Sequence, residues 1–193
     1  TFVVSGDVGW HVDGAGGAPV PTSPEDVSIG QLEIWMKPHG FLKAARLPGA
    51  NPRAVWRWEL GEMGRDGPTT LPDKVHVVSI TFGKYRIDAT INKQNQIQRI
   101  HTMVSEPALG DFNYEHESTD QRTFGAVKFP IAWHSHQGWD DNFGFENVTA
   151  GHNAFGGNFS TVEPNNCGPA VTVPDAVRRA AAPSTTVTVD KLA

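Results

Sequence analysis

Residues 84–92 read KYRIDATIN, and their alternation is the strongest structural signal in the chain. On an extended backbone Tyr85, Ile87, Ala89 and Ile91 fall on one side, while Arg86, Asp88, Thr90 and Asn92 fall on the other. Side chains alternate at period two along a strand, so the pattern predicts an antiparallel strand with one face on a core and the other towards solvent. The flanking sequence extends it into a meander. KVHVVSITFG (74–83) leads in across a Gly83–Lys84 turn, and QIQRIHTMV (96–104) leads out across NKQNQ (92–96).

Working outward, DFNYEHEST (111–119) supplies a fourth strand after the turn EPALGD, AVKFPIAWHSHQ (126–137) a fifth, and NFSTVEP (158–164) a sixth. TFVVSGDVGWHVDG at the start reads as two short strands around a Gly6–Asp7 turn. A helix is predicted from Ser23: Ser is a favoured N-cap, Pro24 suits the first helical position, and Asp26 stands three residues after the cap. Val27, Gln31, Leu32, Trp35 and Met36 then recur at helical spacing. Pro38 and Gly40 interrupt the run, FLKAARL (41–47) predicts a second short helix, and VTVPDAVRRAAAP (171–183) a third from Pro174. The expected fold class is therefore α+β, an antiparallel sheet with two or three short helices packed on it.

At 193 residues the chain fits a single β-rich domain, 1–193, long enough to bury a core without staples. The formal charge is −5, with no basic block, which removes the electrostatic footprint of a nucleic-acid partner. No apolar run approaches the roughly 20 residues of a membrane-spanning helix, so no transmembrane segment is expected. Cys167 is the lone cysteine, in the turn-like EPNNCGPA, so neither a disulfide framework nor a cysteine-based zinc cluster is available.

The chemistry-bearing stretch is WHSHQGWDDN (133–142). On a strand His134 and His136 share a face with Ala132, while Ile131 and Trp133 point the other way. Two imidazoles on one face begin a zinc or iron site, which needs three or four ligands. His116 is the candidate third ligand taken forward, and Asp140, Asp141, Glu146 and His152 are further completers. The His-x-His-x-Asp-His motif of metallo-β-lactamases is not matched, because Trp139–Asp140–Asp141–Asn142 follows the second histidine. Glu115 and Glu117, flanking His116, share a strand face and read as a solvated outer face. No Gly-x-Ser-x-Gly elbow, phosphate-cradling loop or His-Glu-x-x-His is present. Asn147-x-Thr149 and Asn158-x-Ser160 match glycosylation acceptors. The segment 139–159 is long, glycine-rich and aromatic, which suits a recognition loop. Its Trp139, Phe143, Phe145 and Phe155, together with Trp133 on the preceding strand, are the candidate ligand- or partner-binding residues.

GQLEIWMKPHGFLKAA, GKYRIDATINKQNQIQRIHTMV, GDFNYEHESTDQRTFGAVKFP and VTVPDAVRRA together carry a resemblance. The chain resembles the region that precedes the catalytic domain in bacterial, exported hydrolases of the metallo-β-lactamase fold. It also resembles, in pattern, outer-membrane lipoprotein carriers, whose sheet is a curved half-barrel. The resemblance implies a non-catalytic N-terminal part of a longer, zinc-dependent enzyme, shaping substrate access or assembly. It implies no cofactor in this domain, zinc in a downstream catalytic domain or chain that is the partner, and a periplasmic or secreted location. A homo-oligomer is a second kind of partner. None of that family's metal ligands has a matching position here. Two other readings stand beside it. One is an exported binding domain for a hydrophobic small molecule or lipid, lined by Trp35, Trp56, Trp58, Tyr85 and Trp133, residues that otherwise read as core. The other is a metalloenzyme built on His134 and His136.

Overall fold

The computed structural model describes residues 1–59, 63–64, 67–68, 73–106, 110–137, 153–164 and 170–180, and the structural statements below concern these. The chain is α+β, with antiparallel sheets and short helices. It divides into two compact units, one drawn from Thr1–Ile34 and Cys167–Ala193, the other from Trp35–Asn166.

In the first unit β1 (Phe2–Ser5) and β2 (Val8–His11) form the expected hairpin, with Gly6 in the left-handed region at φ 60°. β3 (Val20–Pro21) adds to β2. Helix α1 (Pro24–Trp35) starts where the cap signal places it. The Ser23 hydroxyl accepts the Asp26 backbone N–H at 3.1 Å, and Ser23 and Thr22 each donate to the Asp26 carboxylate at 2.7 Å. Those hydrogen bonds, Ser23 first, hold the Asp26 carboxyl below its usual value. Val27 and Leu32 on this helix are buried. Gly30 sits in mid-helix for reasons of space: a Cβ there would come within 2.5 Å of Val4 Cγ2 and 2.8 Å of Phe2 Cε1 on β1. The other helix of this unit begins at Asp175, one residue after the proline of the sequence reading; it runs Asp175–Ala180 against β2 and β3 and buries Val177.

In the second unit a helix spans Pro38–Ala44. It begins three residues earlier than FLKAARL suggested. Pro38 ends the preceding helix because it lacks an N–H, and the same property suits it to the first position of the next one, with Lys37 as N-cap. In chain order the Pro38–Ala44 helix is α2 and the Asp175–Ala180 helix is α3. The strands are β4 (Arg53–Glu59), β5 (Met63–Gly64), β6 (Gly67–Pro68), β7 (Asp73–Phe82), β8 (Tyr85–Ile91), β9 (Ile97–Glu106), β10 (Gly110–Phe124), β11 (Val127–Gln137) and β12 (Asn153–Asn158). β5 pairs with β6, and the rest form a seven-stranded sheet in the order β12-β11-β10-β9-β8-β7-β4. Two-residue turns connect β7 to β8 and β10 to β11, with Gly83 at φ 55° and Gly125 at φ 60°. Between β8 and β9 the Asn92 side-chain oxygen accepts the Gln94 and Gln96 backbone N–H groups at 3.0 and 2.9 Å. This Asx turn lets Asn95 sit at φ 58°.

Ile80, Ile87, Ala89, Ile100, Val104, Tyr114 and Ile131 line one face of the sheet and are buried. Helix α2, with Phe41 and Ala44 buried, contacts β9.

Several expectations are corrected. The sixth strand lies at Asn153–Asn158, upstream of NFSTVEP, because pairing with β11 runs from Gln137↔Asn153 to Ala132↔Asn158. β4 was not expected at all, and it pairs with β7 as an edge strand. It carries Trp56 and Trp58 out to solvent, 56 % and 69 % exposed, so neither is core or pocket lining. The second face of β8 does not point into open solvent either: Asp88 is 8 % exposed and Thr90 is buried too. The reason is the company Asp88 keeps.

Candidate functional site

Antiparallel register sets the polar face of the sheet in rows. Asp88 stands opposite His101, His101 opposite Glu115, and Glu115 opposite His136. One step along, Thr90, Arg99, Glu117, His134 and Gly156 form the next row. Side chains directly opposite one another on a sheet are close enough to interact. The β4–β9 end of this face is a charge network. Asp88 accepts from Arg86 Nε at 3.0 Å and from the Ser79 hydroxyl, and lies 3.9 Å from Arg57 Nη1 and 3.8 Å from His101 Nε2. Arg99 Nε is 3.6 Å from a Glu115 carboxylate oxygen. An aspartate this buried requires partners, and here Arg86 on the same strand and three side chains from β4, β7 and β9 supply them.

At the β10–β11 end, Glu117, His134 and His136 form a cluster whose ligand atoms all lie within 4.8 Å of one another. The two imidazole rings meet edge to face with centroids 3.9 Å apart. His136 is buried and Glu117 half-buried. His134 and His136 share a face, as their spacing predicts, and Glu117 stands beside them half-buried rather than on a solvated outer face. The hairpin turn was the missed signal: counting residue for residue outward from Gly125–Ala126 puts Glu117 opposite His134 and Glu115 opposite His136.

His116, the candidate third ligand, is on the other face. It lies between Glu115 and Glu117 in sequence, so the pleat turns it the opposite way. There its Nδ1 is 2.8 Å from the Ser135 hydroxyl and 3.1 Å from Lys37 Nζ. An ammonium can only donate, so Nδ1 accepts and the neutral ring carries its proton on Nε2. Lys37 also lies over the Trp133 ring, 4.8 Å from its centroid, and Trp133 stacks on His116 at 5.8 Å. Burial first, and the Lys37 charge second, push the His116 pKa down to about 3.

A serine hydroxyl at 2.8 Å from an imidazole has the form of a nucleophile and its base. Two facts remove that chemistry. Ser135 is 0 % exposed, so no substrate reaches its oxygen. Burial, with the Lys37 charge beside it, also keeps His116 from accepting the proton a general base would have to take. The Lys37–His116–Ser135–Trp133 group is a packed polar plug under the start of α2.

The remaining sequence candidates are placed as follows. Trp133 belongs to that plug and contacts Phe159 at 6.5 Å. Phe155 lies on β12. Trp139, Phe143, Phe145, Asp140, Asp141, Glu146, Asn147, His152 and Cys167 lie outside the described residues. The aromatic residues expected as pocket lining do not converge. Trp35 stands 5.6 Å from Phe82, Trp133 packs on His116, and Trp56 lies tilted against His76 at the sheet edge. No helix among the described residues is long and apolar enough to cross a membrane. Comparison of the chain with protein-family models, with curated proteins and with solved structures returned no match.

Proposed function

We propose that this chain is a non-catalytic module of an exported, zinc-dependent hydrolase of the metallo-β-lactamase fold, placed ahead of the zinc domain and shaping access to it or its assembly. The observation that carries the reading is how the buried titratable groups are used. Asp88 is held by Ser79, Arg86, Arg57 and His101, Arg99 lies against Glu115, and His116 is sealed with Ser135 and kept neutral by burial and by the Lys37 charge. Groups committed in this way stiffen a sheet rather than act on a substrate. The sequence phrases VTVPDAVRRA and VTVDKLA supply the identity of the neighbour, by resemblance.

The surface this reading assigns to the partner domain is the outer edge of β4, where Trp56 and Trp58 are exposed on one face and Val55 on the other. Tryptophans are enriched where protein surfaces meet. The zinc of the parent enzyme belongs to the partner, and no residue here is assigned to it. The reading is tested by assaying the purified chain, with and without added zinc, on esters, lactones and β-lactams. No turnover above the metal-only rate is expected. Turnover that tracks the amount of folded chain would overturn it.

A further inference from the structure

We infer that Glu117, His134 and His136 form a binding site for a borderline divalent transition metal ion, zinc being the natural occupant, which clamps β10 to β11. The inference rests on the sheet itself and is independent of the proposed link to a hydrolase.

Three observations lead to it. The donor set is right: two imidazoles and one carboxylate bind zinc and its neighbours in the first transition series, whereas magnesium and calcium prefer oxygen alone. The geometry is right too. His134 and His136 are two apart on β11, Glu117 stands opposite His134 on β10, and all three ligand atoms lie within 4.8 Å of one another. An ion in their midst would need only small rotamer adjustments to reach each ligand at about 2.0–2.2 Å.

The third observation is Gly156, opposite His134 on β12. Its backbone does not occupy the left-handed region, so conformation does not demand glycine there. Space does: an added Cβ would lie 3.3 Å from His134 Cδ2 and 2.9 Å from the Trp133 carbonyl oxygen. Glycine inside a strand weakens it and marks a place where something must approach closely. Here that place is the flank of the His134 ring, which stays free to take up a ligating orientation.

Three protein ligands leave a coordination position for water, unlike the closed four-ligand sites of small zinc domains. The ion joins two strands already paired along their length, so it acts as a clamp on a formed hairpin. Binding must displace protons from any charged imidazole, so affinity falls on acidification. The neighbours that tune it are Glu115, in register with His136, and Arg99, which lies against Glu115.

The test uses the whole chain, stripped with a chelator and dialysed against zinc or cobalt(II). One equivalent of metal is expected, with the visible bands of a low-symmetry cobalt site. Glu117→Gln and His134→Ala should each weaken binding at least tenfold, the lower bound set by loss of mere outer-sphere partners. His39→Ala, outside the cluster, should leave the stoichiometry unchanged. Because a β11 variant can fail to fold, a measurement on the unaltered chain stands beside these: cobalt should broaden the imidazole resonances of His134 and His136 and spare those of His39. Absence of metal binding by the unaltered chain overturns the inference, as does binding that survives both Glu117→Gln and His134→Ala. Broadening that spares His134 and His136 does so equally. Hydrolysis assays have no bearing on these outcomes, so the metal site and the proposed function fail separately.

Discussion

His116 shows how one pleat decides what a residue can do. Glu115, His116 and Glu117 are consecutive, yet the strand sends the glutamates to the polar face and the histidine beneath α2. With its folded pKa at about 3 and an ordinary value of 6.5, the unfolded chain takes up a proton that the folded chain refuses. Stability from this group is therefore complete above pH 6.5 and is lost as pH falls towards 3, by up to a few kcal/mol. Urea unfolding at pH 7 and pH 4 should show His116→Gln losing less stability on acidification than the unaltered chain, although the variant is weaker at pH 7. Parallel losses would show that His116 is not held neutral. Asp88 makes the matching case on the other face: Asp88→Ala leaves Arg57, Arg86 and His101 facing each other and should cost about 2–4 kcal/mol in urea unfolding. At this scale the sequence showed which residues alternate but not which polar ones are buried. One partner of the buried Asp88 is Arg57 on β4, thirty-one positions earlier in the chain.

Among the elements, legibility followed local signals. The β7–β8–β9 meander, the Gly6–Asp7 hairpin and the Ser23 cap each rest on turn or cap chemistry confined to a few residues, and each was readable in advance. β4 was not, because RAVWRWE shows tryptophan and arginine alternating with little else, and an edge strand exposed on both faces carries no clean apolar period. β10 runs on through DQRTF (120–124), a polar stretch beyond the expected end of the strand. It stays extended because β11 pairs with it on both sides of Asp120, itself at φ 51°. Two substitutions probe the first unit. Ser23→Ala should cost about 1 kcal/mol, and should raise the Asp26 carboxyl towards its usual value in an NMR titration. Gly30→Ala would stabilise an ordinary helix by about 1 kcal/mol. Here it should destabilise by about 1–3 kcal/mol, since the added methyl meets Val4 and Phe2. Thermal unfolding gives the sign directly.

For the molecule as a whole, the sheet has an apolar face buried in part by α2, and a polar face whose charges are matched across strands. That leaves the β4 edge as the conspicuous apolar surface among the described residues. Trp58→Ala should change the stability of the chain by no more than about 0.5 kcal/mol, because the side chain is mostly in water. The same change should weaken association with the partner domain by far more, measurable by titrating that domain into labelled chain. The fold class was legible in the sequence because alternation and turns are local. The candidate metal cluster was half legible, since its histidines are neighbours and its glutamate arrives through the hairpin. The central claim, that this chain works as part of a larger zinc hydrolase, is tested most directly by intact-mass analysis of native material with zinc quantified on the same sample. The account predicts a covalent mass well above 20.9 kDa, or a tightly held second chain, with the zinc travelling in that species. A lone 20.9 kDa chain, with or without zinc, contradicts it.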